Sequence, residues 1–472
     1  MKLVAIVLVS LFVLTGCTQA PGNSSPSAPL SDDVGKECSE MGDTKNILDE
    51  IYLECRLAAG NELRWVKLSS TPTVPVQNFL GESIETCQLK DFVNYSPDTY
   101  TGGDLGYPAV GEMPSLGNVN VAVVPIDFPD HPQSGSPSYL KEQMEITDDW
   151  IAKYSYGKMQ YVWQFKNAWI RAPKEAAMYN PAKANIQADG SSQTFGDSKQ
   201  SKDLMVQQLF EAAEATYDFS NTEYVFFVYP PDIGDKAAEG VDGRDVVVNT
   251  KNNSYRLGFQ TTGGYAASVG EAWHGWLHGS LHSHGLIGHA PGNEYSYNLM
   301  AIDGGAGQSL TAWDTFILQW FEEDQVACFD INTLDKETVT LTSMDLEIGG
   351  LKTAMVRLSE NEIVVIESRR KSDPFTRGFP EGFYGVQAYY VNTNHDGQRY
   401  DFALDRETEK KYFSYYLWVD SEDHGSGDPY VHGAPSNLNV VAYVGDSFTY
   451  ESLKIEFAST GDFDTVVLST AE

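Results

Sequence analysis

The chain has 472 residues, with 32 Lys and Arg against 66 Asp and Glu, and a formal net charge of −34 at pH 7. Such an acidic surface repels phosphate backbones, which excludes nucleic acid as a partner. The 42% hydrophobic content is enough for a large core or for about two to three domains. The acidic residues are spread along the chain, which is typical of a solvated surface and is compatible with bound divalent cations.

Residues 1–17 are predicted to be a signal peptide. The apolar run 3–14 is too short to span a bilayer. It ends in "LTGC", which resembles the processing box of bacterial lipoproteins and implies cleavage before Cys17 and lipidation of that residue. The alternative is an ordinary signal peptide with an incidental cysteine. Residues 18–35 are rich in Pro, Ser and Gly and predict a flexible tether, so we expect an exported protein that touches the membrane through its lipid anchor only.

Four further cysteines remain, an even number for an oxidising compartment: Cys38, Cys55, Cys87 and Cys328. Four cysteines can form two disulfides in three different pairings. We favour Cys38–Cys55, because both lie in one small module, residues 36–75. Cys87–Cys328 would then join the lead-in segment, 76–116, to the middle of the chain. The alternative is that some of these cysteines are free buried thiols.

Residues 117–335 alternate between strand and helix patterns. "NVNVAVVPIDF" runs apolar as a central strand does, and "SYLKEQMEITDDWIAKYS" has helical periodicity. "MQYVWQFKNAWI" predicts a strand, 199–217 a helix and "EYVFFVY" another strand, followed by a helix over 266–284. This order predicts an α/β layer. Residues 336–472 instead contain short strands separated by turns, which predicts a β-rich, sandwich-like domain and an α+β protein overall.

The segment "HGWLHGSLHSHGLIGH", residues 274–289, holds five of the nine histidines. His278 and His282 are one helical turn apart, so both imidazoles can reach one ion. Gly285 can end the helix in a left-handed turn and let His289 return as a third ligand. Three nitrogen ligands and an open fourth position are typical of catalytic zinc. One alternative is that several of these imidazole rings only pack or form hydrogen bonds. Another is a ligand set of His274, His278 and His282, which we disfavour because residues in a row along a helix cannot surround an ion.

This motif, followed by "YNLMAIDGG" with Met300, resembles the metzincin zinc peptidases, in which a Met-turn lies beneath the metal. The segments "VPIDFPDHP", "YSYGKMQYVW" and "SLTAWDTFILQWFEEDQV" resemble the secreted metallopeptidases of the immune inhibitor A type. The resemblance covers residues 117 to about 470. It implies a metzincin-like α/β peptidase domain, a zinc cofactor and an extracellular protein or peptide as substrate.

Two positions depart from the family pattern. The glutamate that serves as general base is replaced by Gly279, and the candidates for that role are Glu294, Asp303 and Glu271. Of these, Glu271 is instead expected to orient His274 or His278. The third-ligand position is displaced by one residue to His289, and Glu294 or Asp303 could substitute for it. Glu in place of Gly279 is expected to be tolerated, because Glu favours helix more than Gly does.

Two functions follow from these observations. One is a zinc endopeptidase with lost or severely reduced proteolysis, and the other is a non-catalytic, metal-binding pseudopeptidase that serves as a surface binding or adhesion module. Calcium is a second candidate cofactor, since "NTNHDGQRYD" has Gly397 at the sixth place of a calcium-type loop. Asn392 at the first place and Ala403 at the twelfth favour a simple turn instead.

Overall fold

The computed structural model describes residues 44–48, 51–58, 62–69, 81–90, 105–180, 199–286, 297–301, 304–372, 374–379, 382–394, 414–417 and 441–471. Over these residues the protein is a mixed α/β protein with several sheets and few helices. The first sheet comes from the small module near the N-terminus and is an antiparallel meander. Its strands are β1 (Thr44–Leu48), β2 (Ile51–Ala58) and β3 (Glu62–Ser69).

The second sheet forms the middle of the α/β part. Its strands are β4 (Gly117–Asp127), β5 (Met159–Phe165), β6 (Ile170–Arg171), β7 (Tyr224–Val228), β8 (Asp242–Asn249) and β9 (Ser254–Thr262). Their order is β5–β4–β7–β9–β8, and β6 also pairs with β4. The pairings are parallel except for that of β8 with β9. The patterns of the sequence do not predict β8, because most of this edge strand is half-exposed and lacks apolar alternation.

Strand β4 is buried on both faces, as its apolar run predicts. Val123 belongs to a core that also contains residues of helix α1 (Leu140–Tyr154). Its neighbour Val124 points to the other face, into a core that contains residues of helix α2 (Lys199–Ala213). Helices therefore cover both faces of the sheet, and the predicted α/β layer is present.

The histidine segment forms two helices instead of the single predicted one. Helix α3 (Gly264–Ser268) is followed by a turn in which Gly270 has a φ of 81°, and helix α4 (Ala272–Ser283) begins after it. The prediction of one helix over 266–284 is wrong at this turn, because a left-handed residue cannot continue a right-handed helix. No helix in the described ranges is both long enough and apolar enough to cross a bilayer.

A short helix, α5 (Ala312–Ile317), precedes two further sheets. Their strands are β10 (Val326–Asp330), β11 (Lys336–Leu341), β12 (Thr353–Arg357), β13 (Glu362–Arg370), β14 (Tyr384–Asn392), β15 (Ser414–Tyr416), β16 (Ser447–Tyr450), β17 (Leu453–Ser459) and β18 (Asp464–Thr470). The sheet orders are β10–β12–β13–β14–β15 and β11–β18–β17–β16. One hydrophobic core contains residues of both sheets, so they pack face to face as a sandwich. Strand β10 belongs to this sandwich although it precedes residue 336.

A buried ion network lies between the sandwich and the α/β part. Arg369 of β13 is fully buried, with its guanidinium 2.7 Å from Glu367 Oε1 and 3.2 Å from Asp345 Oδ1. The guanidinium also donates hydrogen bonds to the Ser309 hydroxyl and, at 3.0 Å, to the Leu310 carbonyl oxygen. A buried charge is tolerated when opposite charges and hydrogen bonds surround it. The network therefore fixes the backbone just before α5.

The predicted disulfide between Cys87 and Cys328 is present, with the two Cα atoms 6.0 Å apart. Both residues are buried, and the Glu82 amide donates to the Cys328 carbonyl oxygen at 2.7 Å. Together these contacts fasten the lead-in segment to β10. Cys38 lies outside the described residues, so the pairing of Cys38 with Cys55 stays a prediction.

Replacing Cys87 and Cys328 together by Ala should lower the free energy of unfolding by about 2–5 kcal/mol, because a cross-link over a long loop restricts the unfolded chain. The loop here spans 241 residues. Denaturant unfolding of the oxidised wild type and the double variant measures the difference. The single variant Cys87→Ala should show the same loss, and equal unfolding midpoints would contradict the prediction.

Candidate functional site

One face of α4 and of the residue before it carries a row of polar side chains. The row consists of Glu271, His274, His278 and His282, at spacings of three, four and four residues. Side chains at these spacings lie one above the other on a helix. His278 is half-buried and His282 is 6% exposed. The structure thus brings the two predicted ligands together at the buried end of the row.

The two imidazoles face each other through their Nε2 atoms. These atoms are 3.2 Å apart, and the ring planes are perpendicular. His278 Nδ1 lies 2.9 Å from the Leu299 carbonyl oxygen, and His282 Nδ1 lies 2.9 Å from the Leu286 carbonyl oxygen. A carbonyl oxygen only accepts hydrogen bonds, so each Nδ1 carries the proton that is donated. In the neutral rings both Nε2 lone pairs therefore converge on one place.

This donor geometry fits a metal ion. Two nitrogens bound at about 2.0–2.1 Å to one tetrahedral zinc lie about 3.3 Å apart, close to the separation of the two Nε2 atoms. Neutral rings in this tautomer repel each other through their lone pairs, and a cation between them removes that repulsion. A carbonyl acceptor on the second ring nitrogen is also the usual support of a histidine ligand. The pair would supply two of the ligands of the predicted zinc site.

Local backbone structure places both carbonyl oxygens. Gly285 has a φ of 105°, as predicted for the residue that ends the helix, and the Leu286 amide donates to the Leu281 carbonyl oxygen at 3.1 Å. That turn brings the Leu286 carbonyl oxygen back to His282. On the other side, the Leu299 amide donates to the Ser309 carbonyl oxygen at 2.8 Å.

Met300 follows Leu299 directly and is 1% exposed, in the core that also contains residues of α4. Its turn is closed by the Asn298 side-chain oxygen, which accepts a hydrogen bond from the Ala301 amide at 2.7 Å. The segment that the sequence marks as a Met-turn therefore contributes a backbone acceptor to the histidine pair. The sequence pattern points to Met300 but gives no sign of the role of the Leu299 carbonyl.

The remaining predicted ligands cannot be placed beside the pair. His289, Glu294 and Asp303 lie outside the described residues. Within the described ranges, no group of three or more His, Cys, Asp or Glu side chains could hold a metal ion. The identity of the third ligand stays a prediction from the sequence. Cys17 also lies outside the described residues.

Glu271 and His274 line a cavity of about 200 Å³ one turn before the pair. Glu271 is the residue that directly precedes α4, and Gly305 and Arg377 also line the cavity. The first two side chains of the row, Glu271 and His274, therefore border this cavity. No contact of Glu271 with a histidine ring is among the hydrogen bonds of the described residues, so its predicted role in orienting His274 or His278 stays a prediction.

His284, the remaining described histidine of the segment, has a structural role. His284 is fully buried, with its Nε2 atom 3.2 Å from the Tyr161 hydroxyl. That hydroxyl donates to Ser280 Oγ at 2.8 Å. Burial lowers the pKa of His284 to about 4, so the ring is neutral at neutral pH. This ring serves the packing of α4 on β5.

Gly279 lies against the Gln260 side chain, a contact that the sequence does not predict. A Cβ atom at Gly279 would lie 2.3 Å from Oε1, 2.7 Å from Cδ and 3.0 Å from Nε2 of Gln260 in β9. The expectation that Glu at this position is tolerated therefore requires that the Gln260 amide moves, because the Cβ atom would overlap it. The overlap involves the far end of a flexible side chain, so a rotation of Gln260 can relieve it.

The calcium-type loop has only its beginning among the described residues. Asn392 closes β14, and its side-chain oxygen accepts hydrogen bonds from Asn361 Nδ2 at 3.0 Å and from the Asn394 amide at 2.8 Å. These contacts are those of a turn. Gly397 and Ala403 lie outside the described residues, so the turn in place of a calcium loop stays a prediction.

A scan of the chain against models of protein families found no match, and a search of curated proteins found none either.

We predict that the purified protein binds close to one zinc ion per chain, measured by elemental analysis after dialysis. His278→Ala and His282→Ala should each weaken zinc binding at least tenfold, because each removes one of two converging nitrogens. His274→Ala is the matched control one turn earlier and should keep its zinc. A wild type without zinc, or a His274→Ala variant that loses it, would contradict the assignment of the pair.

Proposed function

We propose that this protein is an exported zinc metallopeptidase-like protein of the immune inhibitor A type whose proteolysis is lost or severely reduced. The observation that supports it is the pair of Nε2 atoms 3.2 Å apart on α4, next to a residue, Gly279, that carries no carboxylate. The metzincin-like nature of residues 117–335 is part of the same proposal. It is supported by the order of the family-like segments and by the contact of His278 with the residue before Met300.

His278 and His282 would hold the ion, with His289 as the proposed third ligand. A zinc ion in such a site lowers the pKa of a bound water towards about 7 and polarises a carbonyl group. The chain's own contribution is to fix the two rings in one tautomer through the Leu299 and Leu286 carbonyl oxygens. A group that takes a proton from water and returns it to the leaving amine is absent at position 279.

The alternative function, a pseudopeptidase that binds extracellular protein or peptide without cleaving it, is favoured by one specific observation. The place next to Gly279 is filled by the Gln260 amide, which is neither an acid nor a base at neutral pH. A placed general base contributes about 10²–10⁴-fold to the rate. We therefore expect binding to be retained and hydrolysis to be weak.

The proposed location is the outer surface of the cell, through the lipid on Cys17. Cys17→Ala should move the protein from the membrane fraction to the medium, because the apolar run before it is too short to anchor the chain by itself. Immunoblots of the two fractions measure the shift, with Ser25→Ala in the tether as a control that keeps both the lipid and the disulfide. A Cys17→Ala protein that remains with the membranes would contradict the anchor.

Restoring the carboxylate tests the proposed chemistry. Wild type should hydrolyse labelled casein weakly, whereas Gly279→Glu combined with Gln260→Ala should gain at least tenfold, because the double change supplies a base and the room for it. A chelator should abolish the gain. Gly279→Glu alone should gain less, since the Gln260 amide has to move.

The matched control is Gly279→Ala with Gln260→Ala, which makes the same room and adds a methyl group without a carboxylate. It should show only wild-type hydrolysis. Strong chelator-sensitive hydrolysis by the wild type would show that another residue serves as base, and the pseudopeptidase alternative would then be rejected.

A further inference from the structure

A cavity of about 580 Å³ lies between α1 and the sandwich. Its volume is within the range of pockets that bind small molecules, and such pockets are often found where two parts of a fold meet. One wall comes from Lys153 and its neighbours on α1, and another from the loop 342–352, which joins β11 to β12. The cavity shares no described lining residue with the smaller cavity beside His274 or with the histidine pair. It is therefore a separate place in the fold.

The loop wall of this cavity is held in place by Lys352. That side chain is fully buried, and its ammonium group donates hydrogen bonds of 2.8 Å to the carbonyl oxygens of Ser343 and Leu346. In the same loop, the Asp345 carboxylate accepts a hydrogen bond from the Arg370 amide at 3.0 Å. These bonds fix the backbone of the loop, so the cavity is formed before a ligand binds.

Lys153 is the cationic residue among the described lining. Its ammonium group donates to the Ser372 hydroxyl at 3.1 Å and lies 5.6 Å from the centroid of the Phe375 ring. Both partners are neutral, and over the described ranges no carboxylate lies within ion-pair distance of this nitrogen. Burial lowers the pKa of Lys153, while the more distant carboxylates of Asp345 and Glu347 raise it. The ammonium group has lost part of its hydration without gaining an ion pair, and an anionic group of a ligand would stabilise it.

Two exposed carboxylates also line the cavity. Asp149 lies four residues before Lys153, on the same face of α1, and Glu347 belongs to the loop. A purely anionic ligand would be repelled by these two groups, and a purely cationic ligand would leave the Lys153 charge without a partner. The charges therefore favour a ligand that carries both an anionic and a cationic group.

The rest of the lining is largely apolar. Met344 and Phe375 are each 3% exposed, and Leu346 and Ile348 are half-buried. Apolar walls with a few polar groups are typical of pockets that bind small molecules. The ligand that matches this lining has an apolar side chain beside its two charges.

We propose that this cavity binds a small zwitterion with an apolar side chain, which is the chemistry of a free amino acid or of a short peptide. The carboxylate of the ligand contacts the Lys153 ammonium group, and its own ammonium group contacts Asp149 and Glu347. Its side chain packs on Met344 and Phe375. This binding requires no metal ion and is independent of the proposed peptidase-like function.

The experiment titrates the full chain with L-leucine and with L-leucyl-L-leucine by isothermal titration calorimetry. At least one of them should bind with a Kd below about 1 mM, and the tighter of the two identifies the source of the ligand. The N-acetylated and the amidated forms of that compound should each bind at least tenfold more weakly, because each lacks one of the two charges. Failure of both compounds to bind, or equal binding of a capped form, would overturn the inference.

Variants locate the binding in the cavity. Lys153→Met should weaken it at least tenfold, because Met keeps an unbranched apolar side chain but removes the ammonium group. Lys141→Met, at an exposed lysine near the start of α1, is the matched control and should bind like the wild type. Asp149→Asn combined with Glu347→Gln changes two exposed positions and covers the case in which Lys153→Met does not fold. It should also weaken binding at least tenfold, and unchanged affinity in either folded variant would contradict the inference.

Discussion

The candidate site depends on two hydrogen bonds from imidazole Nδ1 atoms to backbone carbonyl oxygens. The Leu299 oxygen holds His278 and the Leu286 oxygen holds His282, each at 2.9 Å. Without these acceptors each ring could rotate or change tautomer, and the Nε2 lone pairs would not converge. The acceptors belong to two different segments, so the pair is held by the turn that ends the helix and by the Met300 segment. The geometry of the histidine pair thus depends on the backbone around the helix as much as on the histidines.

The sandwich supports this geometry through a short chain of contacts. Arg369 donates to the Ser309 hydroxyl, and the carbonyl oxygen of Ser309 accepts the amide hydrogen of Leu299. Leu299 in turn accepts the hydrogen bond from His278. Arg369 is itself held by Glu367 and other buried partners. The C-terminal sheets are therefore connected to the histidine pair, which gives a physical reason for the sandwich and the α/β part to share one chain.

The pairing of Gly279 with Gln260 links the two candidate functions. A glycine in a helix interior is unfavourable by itself, so its presence at this point calls for a local reason. The close approach of β9 provides that reason, because an amide from the strand occupies the space of the absent side chain. A neutral amide therefore occupies the space beside position 279, and no acid or base does. Under the proposed function, His278 and His282 would remain as ligands while the base is missing.

The sequence by itself determined the elements whose patterns are local. It predicted the two-sided burial of β4, the helix α1, the convergence of His278 and His282 and the left-handed turn at Gly285, because apolar runs, helical spacing and glycine conformations are encoded within a few residues. It predicted the Cys87–Cys328 disulfide only because these two cysteines remain once Cys38 is paired with Cys55. Tertiary structure alone decided that Leu299 accepts from His278 and that Gln260 faces Gly279. These contacts join segments far apart in the chain, and their register depends on how β9, α4 and the Met300 segment pack together, which no local pattern of residues records.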